Sequence, residues 1–316
     1  MADKKKILII GCSGFIGKNL SKYFLRKNYK VYGTYNNNRP NINKKINLKK
    51  IDILKKDQLN KFMKGKDVVI NAAAVTSGSK DIVKKPYIHF TDNALINSIA
   101  IRSAYENKVK NYICLSCSIM YPHSKIKKRE VDLDLNKKIF PKYFGGAWIK
   151  IFAEKSCEFF SQFKICKYSV VRHTNIYGPH DKFDLNKSHV LGATINKVSN
   201  SKSGKITIWG KGKEKRDFLY IDDLLNGINL ILRKQKTFYD CVNLSYGKSV
   251  SILSLVKKII LHSKKKIEIR HDLSKPNLNI NIAVNSNYAK KKYGWKPSVS
   301  IDEGLKKTIS WYKNNE

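Results

Sequence analysis

Short apolar runs alternate with amphipathic stretches through the first half of the chain. Continuous apolar runs predict strands at residues 6–10, 30–34, 49–53, 67–71, 111–116 and 167–172. Apolar residues at helical spacing predict helices at 17–27, 59–63, 93–107 and 147–163. Strands that alternate with helices in this way predict an α/β fold, a doubly wound parallel sheet with helices on both faces.

The pattern changes after residue 176. Turn-rich segments separate short predicted strands at 206–209 and 267–270 from predicted helices at 221–233, 252–263 and 301–313. We therefore predict two domains, residues 1–176 and a smaller C-terminal α/β lobe at 177–316 that is partly interwoven with the first.

A glycine-rich segment, residues 11–17 (GCSGFIG), lies between the first predicted strand and the first predicted helix. In this context the first glycine permits a tight turn, the second lets the backbone approach a pyrophosphate, and the third lets the helix pack closely on the sheet. The helix N-terminus offers N–H groups and a positive dipole end to phosphates. The segment therefore predicts a dinucleotide-binding site with contacts from Gly11, Ser13, Gly14, Phe15, Ile16 and Gly17.

The end of the second predicted strand bears on the choice of cofactor. An acidic residue at this point usually binds the ribose 2′-hydroxyl of NAD, but the segment 33–39 (GTYNNNR) has no carboxylate. Arg39 offers a partner for a 2′-phosphate, so we predict NADP, with NAD left open. We also expect contacts near the adenine and along the cofactor channel from Asp52, Ile53, Ala72, Ala73 and Ala74.

The formal net charge of +39 raises the question of a nucleic-acid partner. Only 8 of the 63 basic residues are Arg, and the Lys residues are spread over the whole chain. Proteins that read phosphates favour Arg for its fork geometry. We therefore interpret the charge as solvated Lys and expect no nucleic-acid partner.

Other features of the composition limit the location and the chemistry. No run of 18 apolar residues is present, so we expect no membrane span. The six Cys residues include one Cys-x-x-Cys spacing without a second pair, so we expect reduced thiols, no metal site and a cytoplasmic protein.

Several motifs resemble the extended short-chain dehydrogenase/reductases over nearly the whole length. They are the glycine segment, Asp52-Ile53, residues 71–74, residues 116–122, Lys150, and residues 174–179 (TNIYGP). Residues 174–183, 188–191 (SHVL), 208–212 (IWGKG) and 216–218 (RDF) are similar to the GDP-L-fucose synthase branch. The resemblance implies a Rossmann-type fold. Enzymes of that branch epimerise C3 and C5 of GDP-4-keto-6-deoxymannose and reduce its C4 ketone with NADPH.

The resemblance also implies roles for individual residues. His180 is implied as a general acid in epimerisation, and Lys150 as the residue that holds the nicotinamide ribose. Substrate contacts are implied for Ser118, Asn175, His180, His189, Trp209 and Arg216. A homodimer is implied as well, paired through a four-helix bundle of the helices at 93–107 and 147–163.

The chain departs from the family where hydride chemistry needs proton donors. The family Tyr four residues before the Lys is Gly146 here, and the catalytic Ser is Cys117. Tyr143 stands seven residues before Lys150, so it replaces the missing phenol only if the two glycines before Ala147 break the helix. His173 stands where the branch usually has Pro.

Two functions stay open at this point. The first is an NADP-dependent nucleotide-sugar epimerase or reductase with altered proton donors, in which Cys117, Lys150, His180 and Tyr143 are the catalytic candidates. The second is a catalytically silent protein that binds NADP as a sensor or scaffold.

Overall fold

The computed structural model describes residues 4–75, 86–124, 126–185, 188–274 and 281–315. Its strands are β1 (Lys6–Ile10), β2 (Lys30–Tyr35), β3 (Asn47–Lys50), β4 (Val68–Asn71), β5 (Asn111–Cys117), β6 (Lys167–His173), β7 (Asn175–Tyr177), β8 (Lys205–Trp209), β9 (Lys215–Tyr220), β10 (Tyr239–Leu244), β11 (Ser249–Ser251) and β12 (Glu268–Asp272). Its helices are α1 (Phe15–Arg26), α2 (Lys56–Met63), α3 (Pro86–Glu106), α4 (Phe144–Ser161), α5 (Val190–Asn200), α6 (Ile221–Lys234), α7 (Ile252–Ser263), α8 (Asn287–Tyr293) and α9 (Ile301–Asn315).

The largest sheet has seven parallel strands in the order β10-β6-β5-β4-β1-β2-β3. The strand order reverses at β1, which pairs with β2 on one side and β4 on the other. In open parallel sheets, ligands bind in the crevice beyond the carboxyl ends of the strands at such a reversal. The predicted parallel α/β fold is confirmed.

Alternate strand residues feed two separate apolar clusters, as the pleat requires. Ile7 and Ile9 of β1 pack with α1 and α6, whereas Leu8 and Ile10 pack with α2, α3 and α4. Helices therefore cover both faces of the sheet. This explains why the strands are continuous apolar runs rather than alternating ones.

The C-terminal half builds a smaller lobe and also completes the first sheet. In the lobe, β7, β9 and β11 form one sheet, and β8 pairs with β12. β10 leaves the lobe to pair with β6 in the large sheet. One apolar cluster extends from α1 to α9, so the two parts share a core.

Several predicted bounds differ from the structure. The third strand was expected at 49–53 but spans Asn47–Lys50, so Asp52 and Ile53 lie in the turn that follows it. The strands β9 and β10 have no counterpart in the sequence-based prediction. In the described parts of the chain, each helix is too short or too polar to cross a bilayer.

Candidate functional site

The glycine segment 11–17, which we call the phosphate cradle, forms a tight turn between β1 and α1. Gly11 adopts a left-handed backbone with φ of 84°. Its N–H donates to Thr34 Oγ1 at 3.1 Å, and the N–H of Cys12 donates to the Thr34 carbonyl at 2.8 Å. These bonds tie the turn to the end of β2. Gly14 precedes the first residue of α1, whose N-terminus has no side-chain cap and no acidic residue in its first turn.

The three cradle glycines meet different surroundings. A Cβ atom on Gly11 would lie 2.8 Å from the backbone of Ala73, and one on Gly17 would lie 2.1 Å from the Gly11 carbonyl oxygen. A Cβ on Gly14 would meet only that same carbonyl oxygen, at 3.5 Å. Gly11 and Gly17 therefore allow packing within the protein, whereas Gly14 leaves an open approach. An uncapped helix N-terminus behind an open glycine fits a dinucleotide pyrophosphate.

The residues predicted near the adenine lie beside the cradle on the β2–β3 side. Arg39 is exposed after the end of β2. Asp52 is partly exposed, and its Oδ1 accepts the N–H of Leu54 at 3.1 Å. Ile53 and Ala73 both pack against the apolar cluster that contains Leu8 and Ile10 of β1. The chain therefore has a cation, Arg39, four residues after β2, and no carboxylate in the segment 33–39.

The segment after β4 forms the other wall of the cradle. The N–H of Ala72 donates to the Ile10 carbonyl at 3.0 Å, which continues the β1–β4 pairing. The amide of Asn71 accepts from the N–H of Ala73 at 3.2 Å and donates to Asn97 at 3.2 Å. Ala72 and Ala73 are partly exposed and Ala74 is exposed, so small side chains line this wall.

Three candidate side chains lie near one another where β5 and β6 end beside α4. The Nζ atom of Lys150 donates to the Leu115 carbonyl at 2.7 Å, which holds its ammonium at the carboxyl end of β5. Cys117 and His173 are register partners on β5 and β6. The charge of Lys150 acts electrostatically on both. We call Cys117, Lys150 and His173 the corner.

The strand periodicity sets the direction in which the corner residues point. Ile113 and Leu115 of β5 and Val171 of β6 pack in the cluster shared with the smaller lobe. The residues between them, such as Ser116 and Arg172, contact Glu154 of α4 instead. Because side chains alternate between faces, Cys117 and His173 both lie on the lobe side.

Burial sets the protonation states at the corner. Burial lowers the pKa of His173 to about 4, a hydrogen bond with the Thr174 carbonyl partly offsets this, and the charge of Lys150 adds to the lowering. Burial raises the pKa of the Cys117 thiol, against the opposing charge of Lys150. Near neutral pH the imidazole is therefore uncharged and the thiol is protonated.

The helix break that Tyr143 would need in order to replace the missing phenol is absent. α4 runs without interruption from Phe144 to Ser161, through both glycines. Tyr143 caps the start of this helix and stacks edge-on with Phe140. At about 1.5 Å of rise per residue, it lies about 10 Å along the axis from Lys150. Tyr143 therefore does not replace the missing phenol. At Gly146, an added Cβ would lie 3.2 Å from Cδ1 of Ile119.

A buried ion pair supports the corner from the α4 side. Arg172 donates to Glu154 through Nη2 at 2.7 Å and to the Tyr121 hydroxyl through Nη1 at 2.8 Å. Ser116 donates to the same carboxylate. The Tyr121 hydroxyl in turn donates to Asn243 of β10 at 2.9 Å. This network locks β5, β6, β10 and α4 together directly behind Cys117 and His173.

His180 lies against helices rather than at the corner. Its Nε2 accepts from Lys22 Nζ of α1 at 2.7 Å, since an ammonium only donates. Its ring stacks edge-on with Trp311 of α9, with the centroids 4.7 Å apart. Burial, followed by the charges of Lys22 and Lys18, lowers its pKa to about 4. The general-acid role expected for His180 stays a prediction that these contacts do not favour.

The other predicted substrate residues lie in or next to the smaller lobe. Asn175 is exposed on β7, and its amide donates to the Asp217 carbonyl at 2.9 Å. Arg216 is the residue before Asp217 on β9 and pairs in register with Val250. Trp209 ends β8 with 51% of its surface exposed.

Two further predicted substrate residues lie outside these strands. His189 is the exposed N-cap residue of α5. Ser118 lies beside the corner, since its N–H donates to the His173 carbonyl at 3.0 Å.

The sequence-based reasoning did not find the anchor between the corner and the lobe. The buried Asp217 carboxylate accepts from the Thr174 hydroxyl at 3.2 Å and from the backbone N–H groups of Tyr246 and Gly247 at 3.1 and 2.8 Å. Burial raises the pKa of Asp217 to about 6. A carboxylate directly before the apolar run Phe218–Tyr220 was the available signal.

Comparison with known proteins adds to this geometry. Residues 7–244 match the model of the NAD dependent epimerase/dehydratase family. GDP-L-colitose synthase of Yersinia pseudotuberculosis is 26% identical to the chain, across 98% of this chain and 99% of that protein. GDP-L-fucose synthase of Sinorhizobium fredii is 26% identical, across 100% and 98% of the two chains.

A solved structure matches in fold. UDP-glucose 4-epimerase of Thermotoga maritima, crystallised with UDP-glucose, superimposes with a TM-score of 0.87 at 22% identity. The match covers 98% of this chain and 99% of the epimerase. The match extends through the smaller lobe as well as the large sheet.

Proposed function

The chain belongs to the NAD-dependent epimerase/dehydratase family, and on that premise we propose that it is an NADP-dependent nucleotide-sugar epimerase, reductase or both. Its substrate is a GDP-linked 4-keto-6-deoxyhexose, and its proton donors differ from those of the family. One observation carries this proposal: the phosphate cradle and the corner both lie at the carboxyl edge of the same parallel sheet. A cofactor bound at the cradle and a sugar bound under the lobe would meet there.

The choice of NADP rests on charge at the end of β2. Arg39 is exposed there, and no carboxylate of the segment 33–39 competes for a 2′-hydroxyl. A guanidinium pairs with a phosphate through two parallel hydrogen bonds. When bound, the nicotinamide exchanges hydride with a sugar carbon.

The corner supplies the groups that handle protons. Lys150 holds the nicotinamide ribose and places a positive charge beside a developing oxyanion. The protonated Cys117 thiol faces the same space as a donor. Ser118, next to it in the chain, contributes a hydroxyl for the carbonyl oxygen of the sugar. These groups suit proton transfer at the carbon next to a ketone. The C–H proton on that carbon becomes more acidic when the negative charge that develops on the ketone oxygen is stabilised.

The preference for a GDP-linked sugar rests on the lobe and on the relatives. Two relatives with GDP-sugar names match 98% and 100% of the chain, including the lobe that carries Asn175, Trp209 and Arg216. The exposed Trp209 ring suits stacking on a base, and Arg216 suits a diphosphate. His189 at the N-cap of α5 completes the proposed substrate contacts.

The test compares binding and turnover in one protein. Fluorescence titration should give tighter binding of NADPH than of NADH, and calorimetry should give tighter binding of GDP than of UDP. NADPH oxidation at 340 nm with GDP-4-keto-6-deoxymannose should be measurable and should disappear in Lys150→Ala. A protein that binds neither NADPH nor GDP would contradict the proposal.

A homodimer and a cytoplasmic location are also part of the proposal. Several large apolar side chains on α3, on α4 and in the turn after α4 are exposed, with exposed fractions between 43% and 59%. They are Tyr87, Phe90, Leu95, Phe144, Phe152, Phe159 and Phe163. Exposed apolar side chains on two neighbouring helices suit a self-complementary contact. In sedimentation, Phe152→Glu should shift a dimer to monomer, and Leu261→Glu, at an exposed apolar residue of α7, should not. A wild-type monomer at micromolar concentration would contradict the dimer.

A second candidate function is favoured by Gly146. No side chain stands four residues before Lys150, so the usual phenol donor is missing. A protein that only binds NADP as a sensor or scaffold would keep the cradle and lose the donor in this way. Tight NADPH binding together with no oxidation and no exchange of sugar protons would favour this candidate.

A further inference from the structure

Two chemically active side chains stand side by side at the site. Cys117 and His173 are register partners on the neighbouring parallel strands β5 and β6. Neighbouring strands lie about 4.8 Å apart, and register partners point to the same face. Both residues end their strands and are partly exposed. Strand alternation places both on the same face as Leu115 and Val171, which pack in the cluster shared with the smaller lobe. A sugar ketone bound between the sheet and the lobe would therefore meet a thiol and an imidazole together.

The hydrogen bond of His173 fixes which nitrogen carries its proton. Nδ1 lies 2.8 Å from the Thr174 carbonyl oxygen, which only accepts, so Nδ1 is the protonated nitrogen. Nε2 of the neutral ring therefore keeps its lone pair. Among the described residues, the hydrogen bond of the His173 ring involves Nδ1, so Nε2 is available to a bound substrate.

The surroundings hold the two groups in complementary states. Burial and the charge of Lys150 keep the imidazole neutral, and burial keeps the thiol protonated. The buried Arg172–Glu154 pair fixes the strand residues immediately before both groups. A base and an acid are thus set next to each other before any substrate binds.

We propose that His173 is a catalytic residue of the reaction proposed above: its Nε2 removes a proton from the sugar carbon beside the ketone while the Cys117 thiol protonates the ketone oxygen. The proposal rests on the proposed function and names the base that the family pattern does not supply in this chain. In this assignment the acid, Cys117, lies on β5 and the base, His173, lies on β6. Lys150 stabilises the Cys117 thiolate in addition to holding the nicotinamide ribose.

The step balances without any further reactant. The C–H bond breaks and its proton bonds to Nε2, while its electron pair forms a carbon–carbon double bond. The electron pair of the C=O π bond takes the thiol proton, which leaves a thiolate and an imidazolium ion beside an enediol. Lys150 stabilises the thiolate. Reversal returns a proton to carbon, and exchange of the imidazolium proton with solvent puts deuterium there when the solvent is D2O.

The experiment follows deuterium entry into GDP-4-keto-6-deoxymannose by mass spectrometry, in D2O with NADP+ present. His173→Asn keeps a donor for the Thr174 carbonyl and removes Nε2. We expect exchange to fall about 100-fold, because general bases contribute about that factor or more. Cys117→Ser should lower exchange by at least about tenfold, because a hydroxyl is a weaker acid than a thiol. His262→Asn, at a histidine of α7 that contacts Asp302, is the control and should leave the rate unchanged.

Each outcome bears on a different claim. Unchanged exchange in His173→Asn, with wild-type exchange present, would overturn the assignment of His173 and leave the proposed function standing. A wild-type protein that binds both ligands and oxidises NADPH but gives no exchange would also overturn the assignment and leave a reductase. Absence of binding to either ligand would overturn the proposed function and this inference together. NADPH affinity should be equal in wild type and His173→Asn, and a loss there would mean that His173 acts on the fold.

Discussion

The phosphate cradle and the corner lie on the same sheet edge, but they are built from different parts of the chain. The cradle is made of backbone: three glycines, a helix N-terminus and backbone hydrogen bonds to the end of β2. The corner is made of side chains held by strand register and by one lysine contact. The cradle keeps each feature of its motif, whereas the corner has Cys117 and Gly146 in place of the family donors.

This difference shows where such a fold tolerates change. An added methyl group at Gly17 would collide with backbone, which cannot move without opening the β1–α1 turn. A side chain at the corner can change its chemistry while its backbone stays in place. A chain can therefore keep its cofactor site and acquire a different proton-transfer site.

The largest expected effect comes from breaking the cradle. Gly17→Ala places a methyl 2.1 Å from the Gly11 carbonyl oxygen. We expect a loss of about 3 kcal/mol or more in the free energy of unfolding, since overpacking against backbone has no cheap relief. Thermal unfolding measures this effect.

Gly14→Ala is the matched control for that substitution. Its methyl meets only the Gly11 carbonyl oxygen, at 3.5 Å. We expect the free energy of unfolding to change by less than about 1 kcal/mol, while NADPH binding weakens at least about tenfold because the methyl occupies the phosphate approach. Equal stability loss in both variants would contradict the division of roles between these glycines.

The next effect comes from the ion pair behind the corner. Arg172→Ala leaves Glu154 buried without its cation, which we expect to cost about 3–5 kcal/mol in the free energy of unfolding. Arg102→Ala removes an exposed partner of Glu106 and should cost less than about 1 kcal/mol. Chemical denaturation of both variants measures the contrast. Similar losses in the two would mean that the network does not brace the strands.

Restoring the phenol tests whether its absence limits the reduction step. Gly146→Tyr combined with Ile119→Ala gives the new ring room next to Lys150, since Ile119 lies 3.2 Å from the position of the added Cβ. We expect NADPH oxidation to rise at least about tenfold, because a positioned acid contributes about that factor or more. The control Ile119→Ala alone should not raise the rate. A double variant that folds, binds NADPH and shows no gain would mean that the missing phenol does not limit reduction.

A further effect is the pH dependence of stability that His173 confers on the folded chain. Its pKa is lowered from 6.5 to about 4 in the folded chain, so between these values the unfolded chain binds a proton that the folded chain does not. The free energy of unfolding therefore falls as the pH falls through this window, and the contribution is complete above 6.5. His173→Asn should reduce that fall by about 3 kcal/mol, at about 1.4 kcal/mol for each unit of the pKa difference. Parallel pH profiles in the two proteins would contradict the buried neutral state of His173.

The sequence was sufficient for the cradle and for most of the large sheet. Strand, turn and helix follow each other within residues 6–26, and the chemistry of glycine acts locally there. β10 was missed because Asp240 and Asn243 interrupt its apolar pattern. Both are buried and bonded to distant residues, Asn243 to Tyr121 and Asp240 to Tyr288. Such partners cannot be read from local periodicity.

The corner was only partly predictable for the same reason. Motif position indicated Cys117 and Lys150, but the pairing of Cys117 with His173 depends on the register of two strands far apart in sequence. The helix continues through Gly145 and Gly146 because packing outweighs the weak helix propensity of glycine, so the condition attached to Tyr143 is not met. Ala147, in the same helix, packs in a buried cluster with Met120 and holds this turn in place.

We propose that this chain keeps a working cofactor site and moves protons on the sugar through the residues of the corner. The most direct measurement is one reaction in D2O with NADPH and GDP-4-keto-6-deoxymannose, in which NADPH oxidation and deuterium entry into the sugar are followed together. We expect deuterium to enter faster than NADPH is oxidised, because Cys117 and His173 are present and the phenol that assists reduction is absent. Oxidation that proceeds without deuterium entry beside the ketone would contradict the claim.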